Sequence, residues 1–205
     1  MTGLVLAGGR SSRFGSDKSR AVLHGGTEDM LLWTVSLLDS LPDTERVAIS
    51  CRPDQVQKLQ STGIPLIPDE ASGDPTPLRG LVAALRTTKD ALLVLPCDLP
   101  LMRADILSVL LRAREQCLNR NSMPGLLRTT FVHADGHAEP LAAIYEAPAL
   151  PYLEEALCRG RFGVYGALPA GSSLLVPCPD ETAFLNMNTP EERERALSLL
   201  KTRAS

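Results

Sequence analysis

Near its amino terminus the chain reads Leu4-Val5-Leu6-Ala7-Gly8-Gly9-Arg10-Ser11-Ser12-Arg13-Phe14-Gly15-Ser16-Asp17-Lys18, an apolar run that stops at two glycines and gives way to small residues interleaved with cations. Gly8 and Gly9 lack a Cβ, so backbone N–H groups there can come close to a ligand. Exposed amides beside positive side chains favour an anion. The glycine spacing is not the G-x-G-x-x-G of a dinucleotide site, and no G-K-[ST] follows as in a P-loop. The stretch therefore reads as a phosphate loop of another kind, with Arg13 and Lys18 as its cations. A second candidate is Asp98 in Pro96-Cys97-Asp98-Leu99-Pro100, a carboxylate after an apolar run and held between prolines. Hard cations such as magnesium take oxygen ligands, commonly one or two carboxylates plus substrate phosphates. The same aspartate would also serve as a helix cap. Fixed cations and a metal-holding carboxylate suit phosphoryl or nucleotidyl transfer, in which charge builds on phosphate oxygens. No Ser-His-Asp arrangement competes with that chemistry. Asn186 and Asn188 stand just before Thr189-Pro190-Glu191-Glu192, where asparagine also serves turns and caps.

Those residues need elements to hold them. Leu4 to Leu6 reads as a buried strand. Thr27-Glu28-Asp29 predicts a helix start with Thr27 as cap and Leu31, Val35 and Leu38 on one face. Arg46 to Ser50 is a second strand, followed by a short helix after Pro53, and Pro65 to Ile67 is a third strand. The Pro-, Gly-, Asp- and Ser-rich segment from Pro68 to Pro77 reads as a ligand-contacting loop. Thr76 as cap and Pro77 at the first position start a helix through Leu85. Ala91 to Leu95 is continuously apolar, as a strand covered on both faces should be. Arg103 to Asn119 is the longest helix. Leu126 to His133 and Ala138 to Tyr145 predict a hairpin at Asp135-Gly136, which argues against His133 and His137 being a helical metal pair. A helix over 148–157, a strand at Leu174 to Val176 and a last helix opened by the Thr189/Glu192 capping box complete the chain. Alternating strands and helices predict an α/β fold with a mostly parallel sheet and ligands beyond the strands' carboxyl ends.

Composition sets limits. With 205 residues the chain suits a single domain over 1–205. A formal charge of −3 argues against a nucleic-acid partner. Cys51, Cys97, Cys117, Cys158 and Cys178 form no C-x-x-C pair and read as ordinary thiols of a reducing compartment. No apolar run approaches the roughly 20 residues that span a bilayer, so the expectation is a cytoplasmic protein without membrane contact.

The sequence resembles the molybdenum cofactor guanylyltransferases, within the wider nucleotidyltransferases of Rossmann-like fold. The family's L-A-G-G-x-S-x-R-M-G-x-D-K pattern stands at Leu6 to Lys18 with only Phe14 departing. Pro77-Leu78-Arg79-Gly80, Pro96 to Pro100, Glu139-Pro140-Leu141 and Asn186-Met187-Asn188-Thr189-Pro190 follow in family order. The resemblance implies a Rossmann-like three-layer sandwich with a small added hairpin. It also implies transfer of GMP from GTP to the phosphate of Mo-molybdopterin with Mg2+, releasing pyrophosphate. By position it assigns nucleotide contacts to Leu6, Ala7, Gly8, Gly9, Lys18, Asp69, Leu78 and Asp98, catalysis to Arg13, Lys18 and Asp98, the metal to Asp98, and the pterin side to Asn186 and Asn188. The hairpin around Asp135 to Glu139 is a further pterin-side candidate. The second glycine of the pair and the intact P-L-x-G favour GTP over CTP. Where the family often has a nucleotide-contacting Asn, this chain has Arg52, which either takes over a ribose or phosphate contact or leaves it unmade. Transient contact with molybdopterin-synthesis proteins and recipient molybdoenzymes is implied as well. The alternatives are a cytidylyltransferase or sugar-phosphate nucleotidyltransferase on the same fold, and a non-catalytic molybdopterin carrier.

Overall fold

The computed structural model describes residues 1–7, 22–23, 28–69, 75–187 and 189–203. The chain opens with β1 (Thr2–Leu6), the short antiparallel pair β2 (Val22–Leu23) and β3 (Glu28–Asp29), and α1 (Met30–Asp39). Helix α1 starts two residues later than Thr27 as cap would require. Glu28 and Asp29 are drawn into the short pair, and the Asp29 carboxylate caps instead, accepting from the Leu31 N–H at 2.9 Å. Next come β4 (Arg46–Cys51), α2 (Val56–Leu59), β5 (Leu66–Pro68), α3 (Pro77–Thr88) and β6 (Leu92–Pro96). The second half supplies α4 (Ala104–Asn119), β7 (Arg128–Val132), β8 (Ala138–Tyr145), α5 (Leu150–Cys158), β9 (Ser173–Pro177) and α6 (Pro190–Arg203).

Seven strands form one sheet in the order β5-β4-β1-β6-β8-β7-β9. Only β8 runs against the rest, because it pairs antiparallel with both β6 and β7 while β9 is parallel to β7. The expected mostly parallel sheet with an added hairpin is what forms. From β1 the chain moves outward to β4 and β5, then returns to place β6 on the other side of β1. That reversal makes the carboxyl ends of β1 and β6 a topological switch point.

Two apolar cores cover the two faces. One packs Leu31 and Leu38 of α1, Leu59 of α2 and Ile106, Leu107 and Leu110 of α4 against Val5, Ile49, Leu93 and Leu95. The other packs Leu78, Leu81 and Leu85 of α3 and Leu153 of α5 against Leu4, Ala48, Leu92 and Val94. Each strand of the parallel half feeds both layers, which is why runs such as Leu4 to Leu6, Val47 to Ile49 and Leu92 to Leu95 are continuously apolar rather than alternating. Helix α6 begins at the expected capping box: Thr189 N–H donates to Glu192 Oε2 at 3.0 Å and Glu192 N–H to Thr189 Oγ1 at 3.2 Å. Cys51 and Cys117 are buried in the fold, and burial pushes the Cys51 thiol up to about 11, far from a reactive thiolate. Among the described residues no helix is long and apolar enough to cross a membrane.

Candidate active site

The carboxyl edge of the sheet gathers the chemistry. Past β1, the Ala7 N–H donates to Ser50 O on β4 at 2.9 Å, and the Cys97 N–H past β6 donates to Leu6 O at 3.3 Å. The exits of three neighbouring strands therefore stay in register beyond the sheet. Gln55, buried after β4, donates from Nε2 to Ala7 O at 3.3 Å while its Oε1 accepts from the Arg52 N–H at 2.9 Å. This amide fixes the peptide that leads into the glycine pair. Sequence reasoning passed over Gln55, because a polar residue in a short surface helix carries no signal of which way it turns.

Asp69 stands one residue beyond β5, and its N–H donates to Cys51 O at 2.8 Å. Its side chain is 7 % exposed, and Oδ1 accepts from Ser50 Oγ at 3.1 Å. Burial holds its carboxyl above the ordinary value, with the Ser50 hydrogen bond and then the charges of Arg52 and Arg79 opposing that rise. Helix α3 closes over this carboxylate. A Cβ at Gly80 would run into Ser50 Oγ and lie 3.2 Å from Asp69 Oδ1, so the glycine of the P-L-x-G segment is what lets the helix approach. Thr76 occupies the N-cap position of α3 as expected, but its hydroxyl makes no cap hydrogen bond and Oγ1 is buried without a partner. Leu78 is fully buried in the core, so only its main chain faces the edge.

Asp98 differs from Asp69. It is half-buried, two residues past β6, and its carbonyl accepts from the Met187 N–H at 2.9 Å. That one backbone hydrogen bond brings the segment containing exposed Asn186 to the switch point. Asp69 and Asp98 follow β5 and β6, which are three strand spacings apart, roughly 14 Å at about 4.8 Å per strand. Gly8, Gly9, Arg13, Lys18 and Asn188 lie outside the described residues. Leu6, Ala7, Asp69, the first turn of α3, Asp98 and Asn186 all belong to the same edge.

Arg52 is paired locally: Nε and Nη2 bond the two carboxylate oxygens of Asp54, both at 2.9 Å. Its planar fork is thus engaged with its neighbour two residues on.

The hairpin forms as its Asp135-Gly136 dipeptide predicted, with Gly136 at φ +86° and His133 N–H donating to His137 O at 2.8 Å. Because β7 runs with β6, the hairpin lies at the same edge of the sheet as Asp98. His133 Nε2 is 2.8 Å from Glu139 Oε1 and His133 Nδ1 is 3.6 Å from Glu181 Oε1. His137 stacks parallel to the exposed ring of Tyr165, with centroids 6.4 Å apart. The Glu139-Pro140-Leu141 segment sits on a break in the β7–β8 register, held by Thr130 Oγ1 donating to Glu139 O and Tyr145 Oη to Pro140 O, both at 2.7 Å. Burial pushes the Tyr145 hydroxyl up to about 12, so it stays a donor.

Chemically, the edge offers a buried acceptor at one end, a half-open carboxylate at the other, and the strand that leads into the glycine pair between them. That arrangement suits a nucleotide laid across the parallel half of the sheet. The sequence model of the MobA-like NTP transferase domain matches residues 3–170. The chain is 30% identical over 203 residues to a molybdenum cofactor guanylyltransferase of Cereibacter sphaeroides, covering 97% of this chain and 96% of that one. It is 32% identical over 191 residues to a molybdenum cofactor guanylyltransferase of Pseudomonas fluorescens, covering 92% and 89%. Among solved structures, the molybdopterin-guanine dinucleotide biosynthesis protein A of Archaeoglobus fulgidus superposes with a TM-score of 0.80 at 25% identity, covering 98% of this chain and all of that one. With that sheet order, that carboxyl edge and a match over most of its length, the chain belongs to the MobA-like NTP transferase family.

Proposed function

We propose that the chain transfers GMP from GTP to the terminal phosphate of molybdopterin, releasing pyrophosphate and forming a molybdopterin guanine dinucleotide. The observation that carries this reading is the pair of carboxylates set apart across the switch point, one buried and one half-open. Asp69 reads the base. An ionised carboxylate accepts from the N1–H and N2–H2 donors of guanine, and Ser50 and Gly80 hold it at the bottom of the base site. Asp98 works at the phosphates. Arg13 and Lys18 belong to the same reading as the cations that meet charge on the α-phosphate and departing pyrophosphate. The acceptor enters from the side of Asn186, Asn188 and the hairpin at Asp135 to Glu139, and its phosphate attacks the α-phosphate in line.

Magnesium fits the residues present. Asp98 offers an oxygen ligand, and among the described residues no cluster of three or more His, Cys, Asp or Glu supplies a complete cage. That suits a hard cation whose remaining ligands come from substrate phosphates. When bound, the ion would supply Lewis-acid stabilisation of the phosphate oxygens. The chain's own residues orient the nucleotide, keep the base desolvated and fix Asp98 through the Met187 N–H. The same reading has residues 1–205 acting as one domain in the cytoplasm and passing product to recipient molybdoenzymes.

Pyrophosphate release with molybdopterin and magnesium tests the proposal, with GTP, CTP, ATP and UTP compared in wild type and Asp98→Ala. Release with GTP alone, lost in the variant, is the expected result. Release with CTP alone would place the chain among cytidylyl transferases. Tight molybdopterin binding with no release from any nucleotide would make it a carrier.

A further inference from the structure

The first turn of α3 carries an arginine whose side chain has no polar partner among the described residues. The Arg79 side chain makes no hydrogen bond or ion pair with any described residue, and its Nε is shut off from water and unpaired. Its guanidinium carbon lies 5.7 Å from the centroid of the Phe162 ring, so one face of the planar group is held against an aromatic side chain. The fork edge is left to point elsewhere. The neighbouring Gly80 is in near contact with Asp69 and Ser50, so Arg79 belongs to the helical turn that closes over the Asp69 carboxylate. It acts on the Asp69 carboxylate through its charge without bonding to it.

A guanidinium presents rigid donors in a plane and has no acceptor. A cation beside a carboxylate ordinarily pairs with it, and Arg52 does so with Asp54. Arg79 and Asp69 stay apart, and a ligand that offers acceptors to one and donors to the other would satisfy both. Guanine does this along adjacent edges, with O6 and N7 as acceptors and N1–H and N2–H2 as donors. The phosphates are the other candidate for Arg79, but the phosphate end of the site lies at Asp98, about three strand spacings across the edge.

We propose that Arg79 is a specificity-determining residue, its guanidinium donating to O6 and N7 of the guanine while Asp69 accepts from N1–H and N2–H2. The assignment rests on the guanylyl reading above. It gives the base site a two-sided lock: adenine would set an amino group against Arg79, and cytosine has no N7.

The test is ligand-side and residue-side at once. Binding of GTP, 7-deaza-GTP, ITP and CTP is measured by calorimetry on wild type, Arg79→Ala and Arg79→Lys, with melting curves to confirm folding. Wild type should bind 7-deaza-GTP about tenfold more weakly than GTP, the order expected for losing one of the two charge-assisted hydrogen bonds. In Arg79→Ala, GTP should fall to the level of 7-deaza-GTP or below and the two should become equal. Arg79→Lys should not restore the difference, because it keeps the charge and loses the fork. ITP, which lacks N2, should keep its penalty in both variants because that contact belongs to Asp69. An equal loss for GTP and 7-deaza-GTP in Arg79→Ala, with their ratio unchanged, would overturn the base contact in favour of a phosphate contact. No change for either ligand would overturn it outright. Preferential binding of CTP by wild type would instead overturn the guanylyl reading on which the proposal stands.

Discussion

Asp69 and Asp98 stand at the same edge of the same sheet, each just past a parallel strand, yet the fold treats them in opposite ways. Asp69 is 7 % exposed, bonded to a serine hydroxyl and covered by a helix that only a glycine lets so close. Asp98 is half-buried and anchored through its backbone, by the Met187 N–H on its carbonyl. A desolvated carboxylate discriminates among hydrogen-bond donors, because an unmatched group there is costly. A half-open one can share a hard cation with phosphates that arrive and leave. In the proposed function two identical side chains take two roles, and environment assigns them.

Removing the phosphate-side carboxylate should have the largest effect. Asp98→Ala is expected to lower kcat for pyrophosphate release by about 100- to 1,000-fold, with GTP affinity changed far less and the melting temperature nearly unmoved. Next comes the base side. Asp69→Asn should weaken GTP binding by roughly 10- to 100-fold, the value of a charge-assisted hydrogen bond, while CTP binding, weak already, hardly changes.

The same variant sharpens the comparison through pH. Asp69 has a carboxyl raised above its ordinary value of 3.8, so the folded state holds its proton more tightly than the unfolded chain does. Its contribution to stability is present below that ordinary value and is lost as pH rises through the raised one. Denaturation of the ligand-free protein should therefore show Asp69→Asn gaining stability relative to wild type as pH climbs through that window. Above it the gain should hold level. A variant that loses stability over the same window would contradict the assignment of burial as the main cause.

Gly80→Ala tests the close approach of α3. Its Cβ meets Ser50 Oγ, so a cost of about 1–3 kcal/mol is expected in chemical denaturation. Ser50→Ala in the same chain should recover part of that cost, since it removes the atom in conflict. The smallest effect belongs to the far side of the site. Thr189→Ala deletes one half of the capping box that starts α6 and should cost about 1 kcal/mol, with no change in nucleotide preference.

Much of this architecture could be read from residue types. The apolar run at Leu4 to Leu6 predicted a buried strand and that at Ala91 to Leu95 a strand covered on both faces, and both form with cores on either side. Thr189 and Glu192 predicted a capping box whose two hydrogen bonds form. Asp135-Gly136 predicted a turn, and the glycine adopts the positive φ that such a turn needs. What could not be read depended on distant contacts. Asp29 displaced Thr27 as helix cap because the preceding residues were drawn into a short strand pair. Gln55, Ser50 and the gap between Arg79 and Asp69 are products of how β4, β5 and α3 pack. No spacing within one segment encodes them. Five of the residues assigned by resemblance, Gly8, Gly9, Arg13, Lys18 and Asn188, lie outside the described residues, and the proposed division of labour rests on the two carboxylates.

Steady-state pyrophosphate release by wild type, Asp69→Asn and Asp98→Asn, with GTP varied at saturating molybdopterin and magnesium, tests that division most directly. A split is expected. Asp69→Asn should raise KM for GTP with kcat largely kept, and Asp98→Asn should lower kcat with KM largely kept. Full turnover by Asp98→Asn, or loss of kcat at unchanged KM in Asp69→Asn, would contradict it.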